Sequence, residues 1–379
     1  MKISFLTSGH YPYDDRIFYH MARTLADSHH IVEITSSKVS LKEITENISV
    51  NCFSGDDLSK KIKINTFTEF LNEFNPDIII CSEPLLLLAA RGFSKTKPGN
   101  VKIIYDITEW YPSGKNLSGK RGFRKYFTFL TLLIFNLYAS SLCDAFIFGE
   151  WYKSKPYRFL FPLKPFCYIS YYPDLNYISK NEPPQSLDKL RLSYSGRISI
   201  GKGFGRFLRV VKQIADQNPD LRVRVKIIGW YETGDDRNEC EKLIAPAYQN
   251  LDFSFIGKLD FQNYLAEIRD TDIFIDLREN NFENRHCLPI RLFYFAAMGR
   301  PVIFSDLKSI RREVEIEKFG SLADPSDTDR VVSLIMNYIK DREFYLIHCN
   351  NARKDAEELH NWEKIAPGFL RFIDSLSTH

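Results

Sequence analysis

Two basic residues stand beside glycines in the stretch YSGRISIGKGFGRFL, residues 194–208. Arg197 follows Gly196 at the end of an apolar run, and Lys202 comes five residues later, before an amphipathic segment. A guanidinium forks across two oxygens and an ammonium supplies a compact charge, so this pair suits a diphosphate. The G-x-x-x-x-G-K-[ST] pattern of a P-loop is absent. The alternative is a solvated turn that carries two basic residues by chance.

A second candidate anion site begins the stretch HCLPIRLFYFAAMGRPVIFSD, residues 286–306. The spacing predicts a helix from Pro289 to Met298 that ends at a glycine. Proline in the first turn would leave the amides of Cys287 and Leu288 free at the helix start, where the helix dipole favours an anion.

Tyr294 is the polar group in the middle of this predicted helix. Its phenol can make one hydrogen bond to a ligand. It also shares a helix face with Ile290 and Met298, so that packing with the hydroxyl at the edge is the other interpretation.

Apolar periodicity indicates strands and helices that alternate along the chain. This alternation predicts an α/β fold with two mostly parallel sheets, each covered by helices. A segment rich in proline, asparagine and serine separates the two series, and we interpret it as a linker at 173–189. The predicted domains are therefore 1–172 and 190–361.

Ligands of open parallel sheets bind beyond the carboxyl ends of the strands. The loops that follow the predicted strands are therefore the places to search for a site. They are 8–16, 108–112, 196–205, the loop that Gly229 opens, and 279–289.

Length and composition limit the classes of function. With 379 residues the chain needs two hydrophobic cores, and a formal net charge of +3 is too small to indicate nucleic acid as a partner. Seven scattered cysteines without a C-x-x-C pair predict reduced thiols and a cytoplasmic protein. We see no signal-peptide core at the start and no metal-ligand cluster in the sequence.

The segment from Gly119 to Leu142 places four basic residues before an uncharged run that starts at Tyr126. This run is too short and too polar to span a bilayer. Two interpretations stay open: a helix buried in the core of the first domain, or an interfacial helix whose basic flank meets anionic lipid.

Several of these stretches resemble glycosyltransferase family 4, whose members have two Rossmann-like domains in the GT-B fold. Gly196–Arg197 and Lys202–Gly203 resemble its diphosphate turn. Two further stretches also match the family. Its H-x-x-x-D-x-R-I-F segment is matched by His10, Asp14, Arg16, Ile17 and Phe18. Its motif that begins with leucine and proline and ends with glycine, proline and valine is matched by Leu288, Pro289, Arg291, Leu292, Phe293, Phe295, Gly299, Pro301 and Val302.

The resemblance implies two domains that face each other across a cleft, with a C-terminal helix at about 362–379 crossing back to the first. It implies retaining transfer of a hexose-type sugar from a nucleotide sugar to a polysaccharide or lipid-linked acceptor, in surface glycan synthesis. The first domain would hold the acceptor and the second the donor, without a metal or another cofactor.

The resemblance also assigns roles. Arg197 and Lys202 would neutralise the leaving diphosphate, and His10 would face the acceptor or the sugar, so these three count as catalytic. The remaining donor-side candidates are Gly9, Gly196, Gly229, Cys287, Leu288 and Tyr294, of which Tyr294 would contact the ribose. The remaining acceptor-side candidates are Asp14, Thr108 and Glu109. For Asp14 and Arg16, a helix start with an acid and a local ion pair is the structural alternative.

The sequence departs from the family at three positions. Thr108 replaces a histidine, and it cannot exchange protons near neutral pH as imidazole does. His286 and Tyr294 stand where the family has two glutamates. Glu279 and Glu283 lie in the preceding loop, either as substitutes for these carboxylates or as solvated acids.

The main hypothesis from the sequence is therefore a cytoplasmic glycosyltransferase, peripheral on the inner face of the cell membrane if residues 119–142 meet lipid. A nucleotide-sugar-binding scaffold that has lost catalysis is the rival, motivated by the missing glutamates. A nucleotide-sugar epimerase is a further alternative.

Overall fold

The computed structural model describes residues 1–97, 99–199, 203–231, 234–245 and 248–377. The chain divides into two compact units. Unit 1 comprises Met1–Tyr171 together with the last helix from Glu363, and unit 2 comprises Tyr172–Trp362.

Unit 1 contains an eight-stranded sheet, here called sheet 1, in the order β3-β4-β2-β1-β5-β6-β7-β8. Neighbouring strands run parallel except β3 and β4, which form an antiparallel pair at one edge. The strands are β1 (Lys2–Thr7), β2 (Ile31–Ser36), β3 (Leu41–Thr45), β4 (Ile48–Cys52), β5 (Ile78–Cys81), β6 (Lys102–Ile107), β7 (Ala145–Phe148) and β8 (Phe166–Tyr168).

The helices of unit 1 cover this sheet. The first begins as a π-helix, Asp15–Ala22, and π-type turns are frequent at functional sites. The others are α1 (Arg23–Asp27), α2 (Lys60–Phe74), α3 (Pro84–Thr96), a 3₁₀ turn (Lys115–Leu117), α4 (Gly122–Leu142), α5 (Trp151–Leu160) and α14 (Trp362–Ser377).

Helix α4 is not a core helix, so that interpretation of residues 119–142 is wrong. Asn136, Ala139 and Ser140 are its buried residues, all in the C-terminal half. From Gly122 to Leu130 every side chain is exposed except the half-buried Thr128. Composition alone does not reveal this, because an apolar run of this length fits either environment. Across the described residues, every helix is too short or too polar to span a bilayer.

Unit 2 contains a six-stranded, fully parallel sheet, here called sheet 2, in the order β11-β10-β9-β12-β13-β14. Its strands are β9 (Lys189–Ile198), β10 (Arg222–Tyr231), β11 (Leu251–Ile256), β12 (Ile273–Asp276), β13 (Val302–Ser305) and β14 (Gly320–Ala323). Its helices are α6 (Phe204–Gln217), α7 (Gly234–Ile244), α8 (Phe261–Ile268), α9 (Phe282–Arg285), α10 (Ile290–Ala297), α11 (Lys308–Glu313), a 3₁₀ turn (Ile316–Lys318), α12 (Thr328–Lys340) and α13 (Arg342–Glu358).

Helix α6 shows how the sequence builds these layers. Its apolar residues recur at intervals of three and four, which makes one face that packs on sheet 2. Phe204, Phe207, Leu208, Val211 and Ile214 are all buried there. The predicted α/β fold with two mostly parallel sheets is confirmed.

Candidate functional site

Sheet 2 has a topological switch point between β9 and β12. The chain leaves β9 toward β10 on one side and later returns to β12 on the other. The loops that follow β9 and β12 therefore run in opposite directions. Open α/β sheets hold ligands at such a point. A cavity of about 490 Å³ lies there. Its polar lining includes Ser195, Arg197, Asp276, Arg278, Glu283 and Arg291.

Two glycines allow close packing beside this cavity. Gly196 has a φ of +111°, and a Cβ at this position would come within 2.3 Å of Nη2 of Arg291. Gly229 lies opposite Gly196 in the β9–β10 pair, where a Cβ would lie 1.8 Å from the Gly196 carbonyl oxygen. Any side chain at either position would displace a neighbour. Their predicted contact with a donor stays a prediction.

Asp276 holds the arginines of the cavity in place. Its carboxylate accepts a hydrogen bond from Nε of Arg278 at 3.0 Å and a second from Nη2, while Nη1 of Arg291 lies 3.8 Å away. Burial would raise the pKa of Asp276, but Arg278 and Arg291 outweigh it and lower the pKa below its usual value. The carboxylate is therefore ionised; it fixes the guanidinium of Arg278 by hydrogen bonds and attracts that of Arg291.

Acidic and amide side chains complete the lining. Glu279, Asn281, Glu283 and Asn284 all reach the cavity from the loop after β12. Glu283 is half-buried, whereas Glu279 is exposed. Carboxylates accept hydrogen bonds from hydroxyl groups, as a sugar or a ribose presents them.

The helix predicted from Pro289 to Met298 forms within one residue at each end. Pro289 is the N-cap of α10, and the chain leaves the helix at Gly299, whose φ is +71°. The amide of Cys287, however, is not free as predicted, because it donates to the Asn284 carbonyl at 3.2 Å. The short α9 turn places this carbonyl beside it, and that part of the predicted anion site is wrong. Leu288 is buried.

Tyr294 packs inside unit 2. Its side chain is 4% exposed, with its ring 5.8 Å from that of Phe261 and 6.5 Å from that of Tyr264. It is not among the residues that line the cavity. The geometry supports the packing interpretation, and the predicted ribose contact is left without support from this position.

Unit 1 has its own switch point, between β1 and β5. Glu83 follows β5 and binds the loop that follows β1: its carboxylate accepts from the amides of Ser8 and Gly9, both at 2.8 Å, and from Thr7 Oγ1 at 3.2 Å. A Cβ on Gly9 would lie 2.6 Å from the Glu83 carboxylate. The close approach of Glu83 therefore explains a glycine at position 9 within unit 1. The amide of Gly9 is already bonded to Glu83.

His10 forms an ion pair with Asp14, with 2.8 Å between Nδ1 and Oδ2. Burial would lower the pKa of His10, but Asp14, Glu83 and Glu109 raise it to about 10. The imidazole is therefore protonated at neutral pH and can donate a hydrogen bond, while it cannot accept a proton. Asp14 also caps the π-helix by accepting from the amides of Arg16 and Ile17.

The sequence interpretation of a local ion pair between Arg16 and Asp14 is wrong, because Arg16 pairs with Asp106. Its Nε and Nη2 donate to the Asp106 carboxylate at 2.9 and 2.7 Å, in a buried fork. Burial would lower the pKa of Arg16, but Asp106 raises it well above its usual value. The helix start is thereby tied to the end of β6.

A second buried ion pair lies close to Thr108. Nζ of Lys153 donates to the Thr108 carbonyl and to Glu150 at 3.0 Å, and both charged side chains are 4% exposed. Thr108 is buried and Glu109 is exposed, so the two predicted acceptor-side residues differ in access to solvent.

The structure thus places the predicted residues at two sheet edges. Arg197 lines the cavity of unit 2, whereas His10 and Asp14 meet at the edge of unit 1. Lys202 lies outside the described residues and stays a prediction. Sequence reasoning missed Glu83, Glu150, Lys153, Asp276 and Arg278. All but Lys153 lie within two residues of the end of a strand, and that position is the signal that could have identified them. Among the described residues, no group of three histidine, cysteine or acidic side chains could hold a metal ion.

Comparison with known sequences gives one family and a distant relative. Residues 178–358 match the family described as Glycosyl transferases group 1. An uncharacterized glycosyltransferase of Methanocaldococcus jannaschii is 24% identical over 192 residues, which are 50% of this chain and 46% of that protein. The match therefore covers less than half the length of this relative.

Two solved structures share the fold over their full length. Sucrose-phosphate synthase from Thermosynechococcus elongatus superimposes with a TM-score of 0.77 and 14% identity, covering 100% of this chain and 99% of that one. HepE of Anabaena in complex with UDP-glucose gives a TM-score of 0.67 and 15% identity, covering 100% of each chain. At this level of identity the likeness shows the fold alone.

Proposed function

We propose that the protein transfers a sugar from a nucleotide diphosphate sugar to a polysaccharide or lipid-linked acceptor, because residues 178–358 match the family described as Glycosyl transferases group 1. The transfer is of hexose type, retains configuration and serves the synthesis of a surface glycan. The observation that carries the proposal is the cavity at the switch point of sheet 2, with Arg197, Arg278 and Arg291 in its wall.

The arginines suit the leaving group of such a reaction. Charge builds up on the diphosphate as the bond to the sugar breaks, and fixed guanidinium groups stabilise it without reorganisation. Asp276 already binds Arg278 at close range, so Arg197 and Arg291 are the groups that we assign to the diphosphate. Lys202 joins them in this proposal, as the sequence resemblance implies.

Glu283 is the residue that we assign to a hydroxyl of the ribose or the sugar. It is half-buried and shares the cavity with Arg197, whereas Glu279 beside it is exposed. A carboxylate here would supply the hydrogen bond that Tyr294 and His286 do not.

His10 acts in this proposal as a cation and a hydrogen-bond donor. With a pKa of about 10 it keeps its proton at neutral pH, so it would bind an oxygen of the sugar or acceptor and would not serve as a base. The acceptor would meet the carboxyl edge of sheet 1.

A thermal-shift panel tests donor recognition. Since HepE of Anabaena binds UDP-glucose, the panel begins with uridine diphosphate and adds guanosine and thymidine diphosphates, and one nucleotide should stabilise the protein. Arg197→Ala and Arg291→Ala should each weaken its binding by about 10- to 100-fold, since each removes a charge-assisted bond. Arg209→Ala, at an exposed position of α6, and Tyr294→Phe should leave the affinity unchanged.

Glu283→Gln separates hydroxyl recognition from phosphate binding. It should weaken binding of the nucleotide sugar about tenfold and leave binding of inorganic diphosphate unchanged. Glu279→Gln should change neither affinity. Release of nucleotide from the matching nucleotide sugar, with membrane extract as acceptor source, then distinguishes an enzyme from a binding protein. No release with any donor and extract would refute the transferase proposal and favour the scaffold.

A further inference from the structure

The N-terminal half of α4 exposes a row of apolar and aromatic side chains. Phe123, Phe127, Leu130 and Ile134 recur at intervals of four, three and four, so they follow one face of the helix. Their exposed fractions are 81%, 61%, 40% and 59%. Isolated exposed apolar residues are ordinary, whereas a continuous row of them marks an interaction surface.

Among the described residues, the buried side chains of α4 lie in its C-terminal half and anchor the helix there. The buried amide of Asn136 donates to the hydroxyl of Tyr157 at 2.8 Å and accepts from that of Tyr105 at 3.3 Å. Nζ of Lys164 binds the carbonyls that end the helix, those of Ser140 at 2.8 Å and Ser141 at 2.9 Å. Lys164 thereby joins the end of α4 to the segment that follows α5.

That segment continues the exposed surface. Phe159 at the end of α5 is 84% exposed, and Leu163 in the following turn is 96% exposed. We call α4 and residues 151–168 together the aromatic–basic face.

The charge of this region has one sign. Residues 110–173 contain nine lysines and arginines but two acids, in a chain whose whole surplus is three. Glu150 is buried against Lys153, and Asp144 accepts a hydrogen bond from the Ile103 amide at 2.8 Å. The exposed charges that flank the apolar row are therefore positive, while the rest of the chain has a net negative charge.

A cavity of about 380 Å³ opens within the aromatic–basic face. Its walls include Lys155, Arg158 and Lys164, and none of the described residues that line it is acidic. Nζ of Lys155 lies 3.9 Å from the ring centroid of Trp151, and Cζ of Arg158 lies 4.5 Å from the ring centroid of Phe166. Nζ of Lys164 is already bonded to backbone carbonyls at the end of α4. Lys155 and Arg158, two cations among aromatic rings, are therefore the groups that suit a phosphate with an apolar neighbour.

We infer that the aromatic–basic face docks on an anionic phospholipid membrane, with the α4 aromatics at the boundary of headgroups and acyl chains and a lipid phosphate in the Lys155–Arg158 cavity. The arrangement is that of an interfacial helix with a basic flank. Anionic lipid is enriched on the cytoplasmic leaflet, which complements the positive charge. A second copy of this chain fits poorly, since two such faces would repel each other. The inference does not depend on the proposed function.

Vesicle flotation of the full chain tests this inference. We expect binding to vesicles of phosphatidylcholine with phosphatidylglycerol, little binding to phosphatidylcholine alone, and weakening with salt. Phe123→Ser with Phe127→Ser should weaken binding at least about tenfold through lost apolar contact. Lys155→Ala with Arg158→Ala should weaken it about 30-fold, at about 1 kcal/mol per charge.

Matched controls come from elsewhere on the surface. Ile44→Ser, at a residue of β3 that is 79% exposed, and Arg209→Ala should leave flotation unchanged. Circular dichroism of each variant shows whether it is folded. Three results would each overturn the inference. The protein could fail to float with anionic vesicles at low salt, or the variants of the aromatic–basic face could float as well as the controls. Sedimentation could also show self-association that the serine variants abolish. If flotation succeeds while every nucleotide fails to bind, the proposed function falls and this inference stands.

Discussion

At the scale of the residue, His10 shows how neighbours decide a chemical role. Its imidazole is 33% exposed and bonded to Asp14, and the surrounding carboxylates raise its pKa to about 10. A free imidazole would be mostly neutral at pH 7.5. The same side chain is therefore a cation in this protein, and of the carboxylates that raise its pKa, Asp14 four residues away has the largest effect.

We predict that His10 does not titrate between pH 5 and 8, as NMR of its ring protons would show. Because its folded pKa lies above the unfolded value of 6.5, the pair stabilises the protein fully below pH 6.5, and this contribution declines toward pH 10. Asp14→Asn should lower the pKa of His10, since it removes the largest of the effects that raise it, whereas Asp15→Asn should leave it high. A normal titration of His10 in the unmodified protein would contradict this assignment.

Which site residues the sequence can predict depends on how local their partners are. Arg197 is recognisable because its glycine and its strand end are adjacent in the chain. Glu83 is not, because it binds Gly9 across 74 residues and only the pairing of β1 with β5 brings them together. Asp276 and Arg291 likewise meet through the fold, fifteen positions apart.

At the scale of the element, local signals predict α10 well and α4 poorly. Proline at the start of α10 and glycine after its end act on the backbone itself, whatever surrounds the helix. The surroundings of α4 depend on which residues of other elements reach it. Asn136 at its anchor is one polar residue in an apolar run, and its partners Tyr105 and Tyr157 are distant in sequence.

The start of the π-helix depends on a buried ion pair with β6. Removing one partner of such a pair leaves the other charge buried without compensation, so we predict that Arg16→Ala lowers the free energy of unfolding by about 3–5 kcal/mol. Arg23→Ala, in the next turn, removes a partly exposed pair with Glu46 and should cost less than about 1 kcal/mol. Denaturant unfolding followed by circular dichroism measures both. An equal loss of unfolding free energy in the two variants would show that the buried Arg16–Asp106 pair contributes no more to stability than the exposed one.

At the scale of the whole molecule, the two units share one architecture. Each has a mostly parallel sheet with a topological switch point, and polar residues lie at that switch point. The alternation of strands and helices makes this architecture predictable, because only parallel sheets accommodate it. The sequence does not show what each edge holds. Sheet 1 carries a protonated histidine among carboxylates, and sheet 2 carries arginines fixed by Asp276.

One buried carboxyl group in sheet 1, that of Glu33, should contribute a loss of stability as the pH rises from about 4.5 to 7. Glu33 on β2 is 4% exposed; one of its oxygens accepts from Asn51 at 2.5 Å, and the other has no partner among the described residues. Burial raises the pKa of Glu33 to about 7. Between the two pKa values the unfolded chain loses a proton that the folded chain keeps, so unfolding becomes more favourable with pH.

Replacing this carboxyl by an amide should remove that dependence. Glu33→Gln should raise the free energy of unfolding at pH 8 by about 2–3 kcal/mol and leave it unchanged at pH 4, where both forms are neutral. Glu69→Gln, exposed on α2, should change neither value. Urea unfolding at several pH values measures the slope, and an unchanged slope in Glu33→Gln would mean that Glu33 is already ionised in the folded protein at acidic pH.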